Sequence, residues 1–123
     1  MTATLSSTLQ DDNDFGAAKC IDGNTEGPDH GVTDGASADF CHTESEPTPW
    51  IAIDFGTTVT IQRVEIFNRR QCCGDRTRNV DVRISDELPT SGSQMFSGGS
   101  LLGHFAGPAS NGQHIIISGQ KLL

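Results

Sequence analysis

Positive charge is scarce in this chain: eight lysines and arginines stand against sixteen aspartates and glutamates, giving a net charge of -8 and a pI near 4.7. That balance excludes partners needing a broad positive field, duplex nucleic acid and anionic membrane surfaces first among them. No apolar run approaches the roughly 18 residues of a membrane span, so no membrane insertion is expected. A basic segment followed by an apolar one is missing from the N-terminus, so no secretory leader is read there. The sequence also lacks a Cys-x-x-Cys pair, an EF-hand pattern, an internal repeat and any run with the 3.6-residue period of a helix. With 34% hydrophobic residues and 14 glycines, it suits short strands and turns better than a helical bundle. Its 123 residues and 13.1 kDa are enough for one hydrophobic core, and we expect a single domain over residues 1–123.

The few cations are not spread evenly. Arg63, Arg69, Arg70, Arg76, Arg78 and Arg83 fall within twenty-one residues, leaving Lys19 and Lys121 for the rest of the chain. Residues 68–79 hold four of these arginines together with the adjacent cysteines Cys72 and Cys73. A guanidinium offers five N–H donors in a planar fork and stays charged, which suits a ligand presenting paired oxygens in a set geometry.

The flanking pattern is that of strands. Residues 2–14 read as a strand followed by an acidic loop, and Asp22-Gly23-Asn24 is a turn signal. Residues 25–45 are loop-like. In residues 49–55, Ile51, Ile53 and Phe55 alternate with Trp50, Ala52 and Asp54 at the two-residue period of a strand, and Trp50 reads as a core or core-edge residue rather than a sugar-stacking face. Val59 and Ile61 share one parity while Val64 and Ile66 share the other, so the next strand changes face near Gln62 and Arg63 through a bulge or bend. Val80, Val82 and Ile84 alternate with Asp81 and Arg83 in a further strand, which makes residues 68–79 a loop between two strands. Leu101, Leu102 and Phe105 suggest a short strand, and Ile115, Ile116 and Ile117 form a continuous apolar run expected of a central strand. The whole reads as an all-β, antiparallel sandwich or barrel.

Four cysteines allow three pairings. A zinc site would need four tetrahedral ligands, which neighbouring residues seldom supply together. All four could also stay reduced as small hydrophobes. Disulfides would place the protein outside a reducing cytosol, secreted or extracellular. If Cys72 and Cys73 join each other, Cys20 and Cys41 are left to tie down the long loop between them.

Together these residues resemble the F-type lectins, or fucolectins. The family pattern is a His, twenty-six residues, an Arg, any residue, an Asp, four residues enclosing two adjacent cysteines, and a final Arg or Lys. Here His42 is followed by twenty-six residues and Arg69, then Arg70, Gln71, the four residues Cys72 to Asp75, and Arg76. The turn at Asp22-Gly23-Asn24, the Pro49-Trp50 strand and the Asn68-Arg69 step extend the resemblance over most of the chain. It implies a jelly-roll β-sandwich of the galactose-binding-domain type and a non-catalytic lectin for terminal α-L-fucose on glycans. Two departures stand out. Gln71 replaces an acid that orients the arginines, and an amide brings no charge to that task; Asp75 is the acid that could compensate. The family's last strand, with a cysteine and a glutamate, has no counterpart after Leu122-Leu123.

By this resemblance His42, Arg69 and Arg76 hydrogen-bond the sugar, and a Cys72–Cys73 disulfide forms an apolar platform for its ring. Such a bond would be strained, since the usual Cα separation of about 4.4 to 6.8 Å exceeds the roughly 3.8 Å between neighbouring residues. His30, Val32 and Phe40 are candidates for the pocket of the fucose methyl group. Asp22, Asn24 and Asp39 match positions that hold a structural calcium ion. Weak single-site binding implies oligomers or attachment to further domains. A discoidin-like module for another sugar, a protein or a lipid headgroup is the alternative. A glycosidase would need two carboxylates about 5 to 9.5 Å apart, and no acid is singled out by spacing.

Overall fold

The computed structural model describes residues 1–11, 16–23, 40–70, 72–87 and 98–122. The chain divides into two compact units, Met1–Gly56 with Leu88–Ser97, and Thr57–Glu87 with Gly98–Leu123. Among the described residues every strand pairing is antiparallel, and the helical turns are single 3-10 turns.

In the first unit, β1 (Thr2–Leu5) pairs with β2 (Ile51–Asp54), Thr2 opposite Asp54 and Leu5 opposite Ile51. Polar side chains continue the pairing past the end of β1. Ser6 N–H donates to the Trp50 carbonyl at 2.9 Å, Trp50 N–H donates to Ser6 Oγ at 3.1 Å, and the Ser6 and Ser7 hydroxyls both donate to Glu46 Oε2. One 3-10 turn follows at Leu9–Asp11 and another at Ala17–Cys20, where Cys20 is bonded to Cys41. Gly23 takes φ +85°, as its turn signal requires. The alternation in β2 is as the sequence indicates, but Ile51, Ile53 and Phe55 stay 43%, 38% and 37% exposed while Trp50 and Ala52 are half-buried. A two-residue period determines which side chains share a face; it does not say which face is covered.

The second unit contains two ladders. β3 (Thr60–Phe67) pairs with β6 (His114–Leu122), and β4 (Val80–Ile84) pairs with β5 (Ser100–Phe105). Their inward side chains meet in one core of Ile84, Leu102, Ala109, Ile115 and Ile117, with Ile61, Val64, Ile66, Val82 and Phe105 packed around it. Burying each branched side chain contributes about 1.5–3 kcal/mol. The change of face in β3 is a register shift between Ile61 and Arg63, which lets Ile61 and Val64 both reach the core from opposite parities. β5 lies close against β6 at Gly103, where a Cβ would stand 2.5 Å from Ile117 Cγ2.

One expectation needs correcting. The apolar run in β6 is not buried on both faces: Ile115 and Ile117 are 4% and 7% exposed, but Ile116 between them is 56% exposed. Among the described residues β6 pairs only with β3, and the outer face of that two-stranded ladder is open. The fold class is all-β with antiparallel sheets, a β-sandwich.

Candidate functional site

The loop at residues 68–79 joins β3 to β4 and is built around Asn68, which is 9% exposed. Asn68 Nδ2 donates to the Gly74 carbonyl at 3.0 Å and to the Ser110 carbonyl at 2.9 Å, while its Oδ1 accepts the Thr77 hydroxyl at 2.7 Å. A buried amide that lost these partners would cost about 1–3 kcal/mol, so the side chain holds both loops to one geometry. Cys72 and Cys73 are joined by a disulfide, with Cα atoms 3.7 Å apart. Cys73 takes φ +64°, a left-handed conformation uncommon outside glycine, and turns the chain into the single 3-10 turn Gly74–Arg76. Arg76 N–H donates to the Cys73 carbonyl and Thr77 N–H to the Gly74 carbonyl, each at 3.1 Å.

A second loop, residues 106–113, runs beside the first. Asn79 N–H donates to the Ala106 carbonyl at 3.0 Å, Ala109 N–H to the Thr77 carbonyl at 3.0 Å, and Gly112 N–H to the Arg69 carbonyl at 2.8 Å. Gly74 N–H donates to Asn111 Oδ1 at 2.8 Å. A Cβ on Gly74 would stand 2.7 Å from Asn111 N, so only glycine lets the loops approach this closely.

Arg69 is half-buried, and its Nε is fully buried. Burial holds its pKa below the ordinary arginine value, and the positive charge of Arg76 lowers it further. Coulomb repulsion falls off with distance and is screened by water, so the two like charges are close enough to oppose each other. Three further cations of this unit have structural partners: Arg63 pairs with Glu65 at 3.4 Å, Arg78 Nε donates to the Asp75 carbonyl at 3.0 Å, and Arg83 Nη1 donates to the Gly98 carbonyl at 3.4 Å. Glu65 also accepts from His114 Nε2 at 2.9 Å, and Asp81 accepts from His104 Nδ1 at 2.6 Å. Both carboxylates are thus engaged by groups other than Arg69 and Arg76. Asp75 is exposed.

His42 belongs to the first unit and is half-buried. Its carbonyl accepts Leu9 N–H at 2.9 Å, which anchors it to the segment following β1. Its Nδ1 donates to the Thr43 carbonyl at 2.6 Å. The Phe40 ring lies 6.2 Å away, tilted by 49°. Of the expected calcium ligands, Asp22 is exposed, while Asn24 and Asp39 lie outside the described residues, as do His30, Val32 and Gln71. Among the described residues, no cluster of three or more His, Cys, Asp or Glu could hold a metal ion.

The structure therefore brings Arg69, Cys72, Cys73 and Arg76 onto one loop. It also adds roles that sequence reasoning did not assign: Asn68 as the buried node bonded to Thr77, Asn111 as the partner of Gly74, and Gly112 as the partner of Arg69. The Asn111-Gly112 dipeptide is a turn signal in the sequence, but nothing there links it to a loop some forty residues earlier.

Residues 19–100 match the sequence model of a family described as NedA-like, galactose-binding domain. The chain is 33% identical over 72 residues to Fucolectin-5 of Anguilla japonica, covering 58% of this chain and 35% of that protein. It is 33% identical over 72 residues to Fucolectin-1 of the same organism, covering 58% and 37%. It is also 33% identical over 54 residues to the Pentraxin fusion protein of Xenopus laevis, covering 44% and 13%. The chain thus spans about a third or less of the length of these relatives. With a family match over most of its length and fucolectins among its relatives, the chain belongs to the NedA-like galactose-binding domains, as an F-type lectin domain.

Proposed function

We propose that this domain is a non-catalytic lectin for terminal α-L-fucose on glycans, with His42, Arg69 and Arg76 as its hydrogen-bonding groups and the Cys72–Cys73 disulfide as an apolar platform for the sugar ring. The observation that carries this reading is the single loop that carries Arg69 and Arg76 on either side of that disulfide. Fucose is neutral and presents vicinal hydroxyls, one of them axial. Two guanidinium forks can donate to such oxygens, and an imidazole can accept a hydroxyl proton, which arginine cannot. A sugar lacking the axial hydroxyl leaves a donor unpaired, at about 1–3 kcal/mol. The names of the fucolectin relatives support the same ligand.

A single site of this kind gives micromolar to millimolar affinity, on the order expected when a few hydrogen bonds are exchanged with water. Useful strength then comes from several copies, in an oligomer or a longer protein, acting outside the cell. A structural calcium ion would use oxygens of Asp22, Asn24 and Asp39. In the sequence Asp22 and Asp39 each lie two residues from the Cys20–Cys41 junction, which supports a shared site. Adding chelator is expected to lower the melting temperature; an unchanged melt means no such ion.

The test of the function is a glycan array followed by titration calorimetry with L-fucose. His42→Ala and Arg76→Ala each abolish binding while the thermal transition stays nearly unchanged. Loss of folding together with binding would make these residues structural. Array signal on galactosides without fucose would favour the broader galactose-binding reading.

A further inference from the structure

One dipeptide grips the arginine loop at both of its functional ends. Asn111 Oδ1 accepts Gly74 N–H at 2.8 Å, and the next residue, Gly112, donates its N–H to the Arg69 carbonyl, also at 2.8 Å. We propose that Asn111 is a positioning residue of the sugar site, which with Gly112 sets the separation between Arg69 and Arg76. This rests on the fucose reading of those two arginines.

Gly74 opens the turn that carries Arg76, and the two peptides that flank its Cα are both held. Its N–H goes to Asn111, and its carbonyl accepts from Asn68 Nδ2 and from Thr77 N–H. A rotation of either peptide would carry Arg76 with it. At the other end the Gly112 bond fixes the Arg69 main chain. Two guanidinium groups whose charges oppose each other do not hold their own spacing, so the backbone must hold it for them. A preorganised spacing counts directly in affinity, because a site that has to be ordered by its ligand loses that ordering cost from binding.

Asn111 is exposed, which separates its role from that of Asn68. Replacing Asn68 would strip partners from a buried amide node and unsettle the fold. Replacing Asn111 removes one acceptor at the protein surface and leaves the apolar core as it is. Gly112 is less suited to a test, since it sits at φ +71° and an added Cβ would stand 3.2 Å from Arg70 Cγ.

The experiment compares Asn111→Ala with Asn111→Asp in the full chain, because aspartate keeps the acceptor oxygen. Fucose affinity is read by calorimetry, and the loop is read by amide exchange at Gly74, Arg76 and Thr77 and by the Nε–H resonances of Arg69 and Arg76. Asn111→Ala is expected to weaken fucose binding about tenfold, the worth of one hydrogen bond to a partly buried group. The same variant speeds exchange at Gly74 and shifts both arginine resonances, with a melting temperature within about 4 °C of wild type. Asn111→Asp returns affinity and exchange to near wild-type values. The proposal is overturned if Asn111→Ala leaves exchange and resonances untouched, or if the aspartate variant is as impaired as the alanine one. A wild-type domain that ignores fucose defeats the functional reading alone, since exchange and arginine resonances still decide whether Asn111 sets the spacing.

Discussion

At the scale of single residues, Arg69 is held at a cost to the fold. A cation whose pKa is lowered in the folded state binds its proton less tightly there than in the unfolded chain. The charged form therefore destabilises the fold at every pH below the folded pKa, and relief comes only as pH rises through that value. Arg69→Met, which keeps the aliphatic stem and removes the charge, is expected to melt at or above the wild-type temperature by differential scanning calorimetry. The same variant loses fucose affinity by about 10- to 100-fold, the range for a hydrogen bond from a charged donor. A variant that binds normally, or that melts well below wild type, would show that Arg69 serves the fold. The motif spacing marks Arg69 and Arg76 in the sequence. Asn68 is equally central but reads there only as a polar residue at a strand end, because its role lies in partners six, nine and forty-two residues away.

Among the elements, the strands are the most legible part. Alternation finds β2, β3 and β4, and the parity change in β3 locates its bulge, because side chains must alternate across a pleated strand whatever lies beyond it. Ile116 shows where that reasoning ends, since an isoleucine in an apolar run looks the same whether or not a second layer covers it. The open face of β3 and β6 instead carries the stacked rings of Phe67 and His114, 4.3 Å apart, with His114 bonded to Glu65. The two loops are legible only in part: turn residues mark where each bends, while the contact between them follows from the ladders that support them. Gly74 is the clearest point of that contact. In Gly74→Ala the new methyl meets main-chain atoms of Ser110 and Asn111, which no side-chain rotation can relieve. We expect destabilisation of about 1–3 kcal/mol, a melting temperature lower by roughly 4 °C or more, and loss of fucose binding. An unperturbed melt would mean that the two loops are free to separate.

For the whole molecule, charge and cross-links are distributed unevenly. Seven of the eight cations fall in the second unit and eleven of the sixteen acids in the first, so the unit that carries the arginine loop has more cations than acids although the chain is acidic. The two disulfides divide in the same way. Cys72–Cys73 spans a sequence separation of 1 and removes almost no chain entropy from the unfolded state, so its service is local. Cys20–Cys41 closes a separation of 21, for which loop-closure entropy gives about 3 kcal/mol. Cys20→Ser with Cys41→Ser should lower unfolding free energy by about that amount in urea titration, while the Cys72→Ser, Cys73→Ser pair moves it far less and loses fucose binding. Equal destabilisation by both pairs would contradict this division of labour.

The sequence by itself determined the all-β class, the strand parities, the bulge in β3 and the spacing that singles out His42, Arg69 and Arg76, since all of these depend on residue order and local stereochemistry. Only the tertiary structure decided that Asn68, Thr77, Asn111 and Gly112 hold the arginine loop, and which side of each ladder stays open. The physical reason is that a hydrogen bond between side chain and backbone leaves no periodic trace when its partners are brought together by two separate ladders. Burial likewise belongs to the layer opposite a strand, and a strand's own residues do not encode that layer.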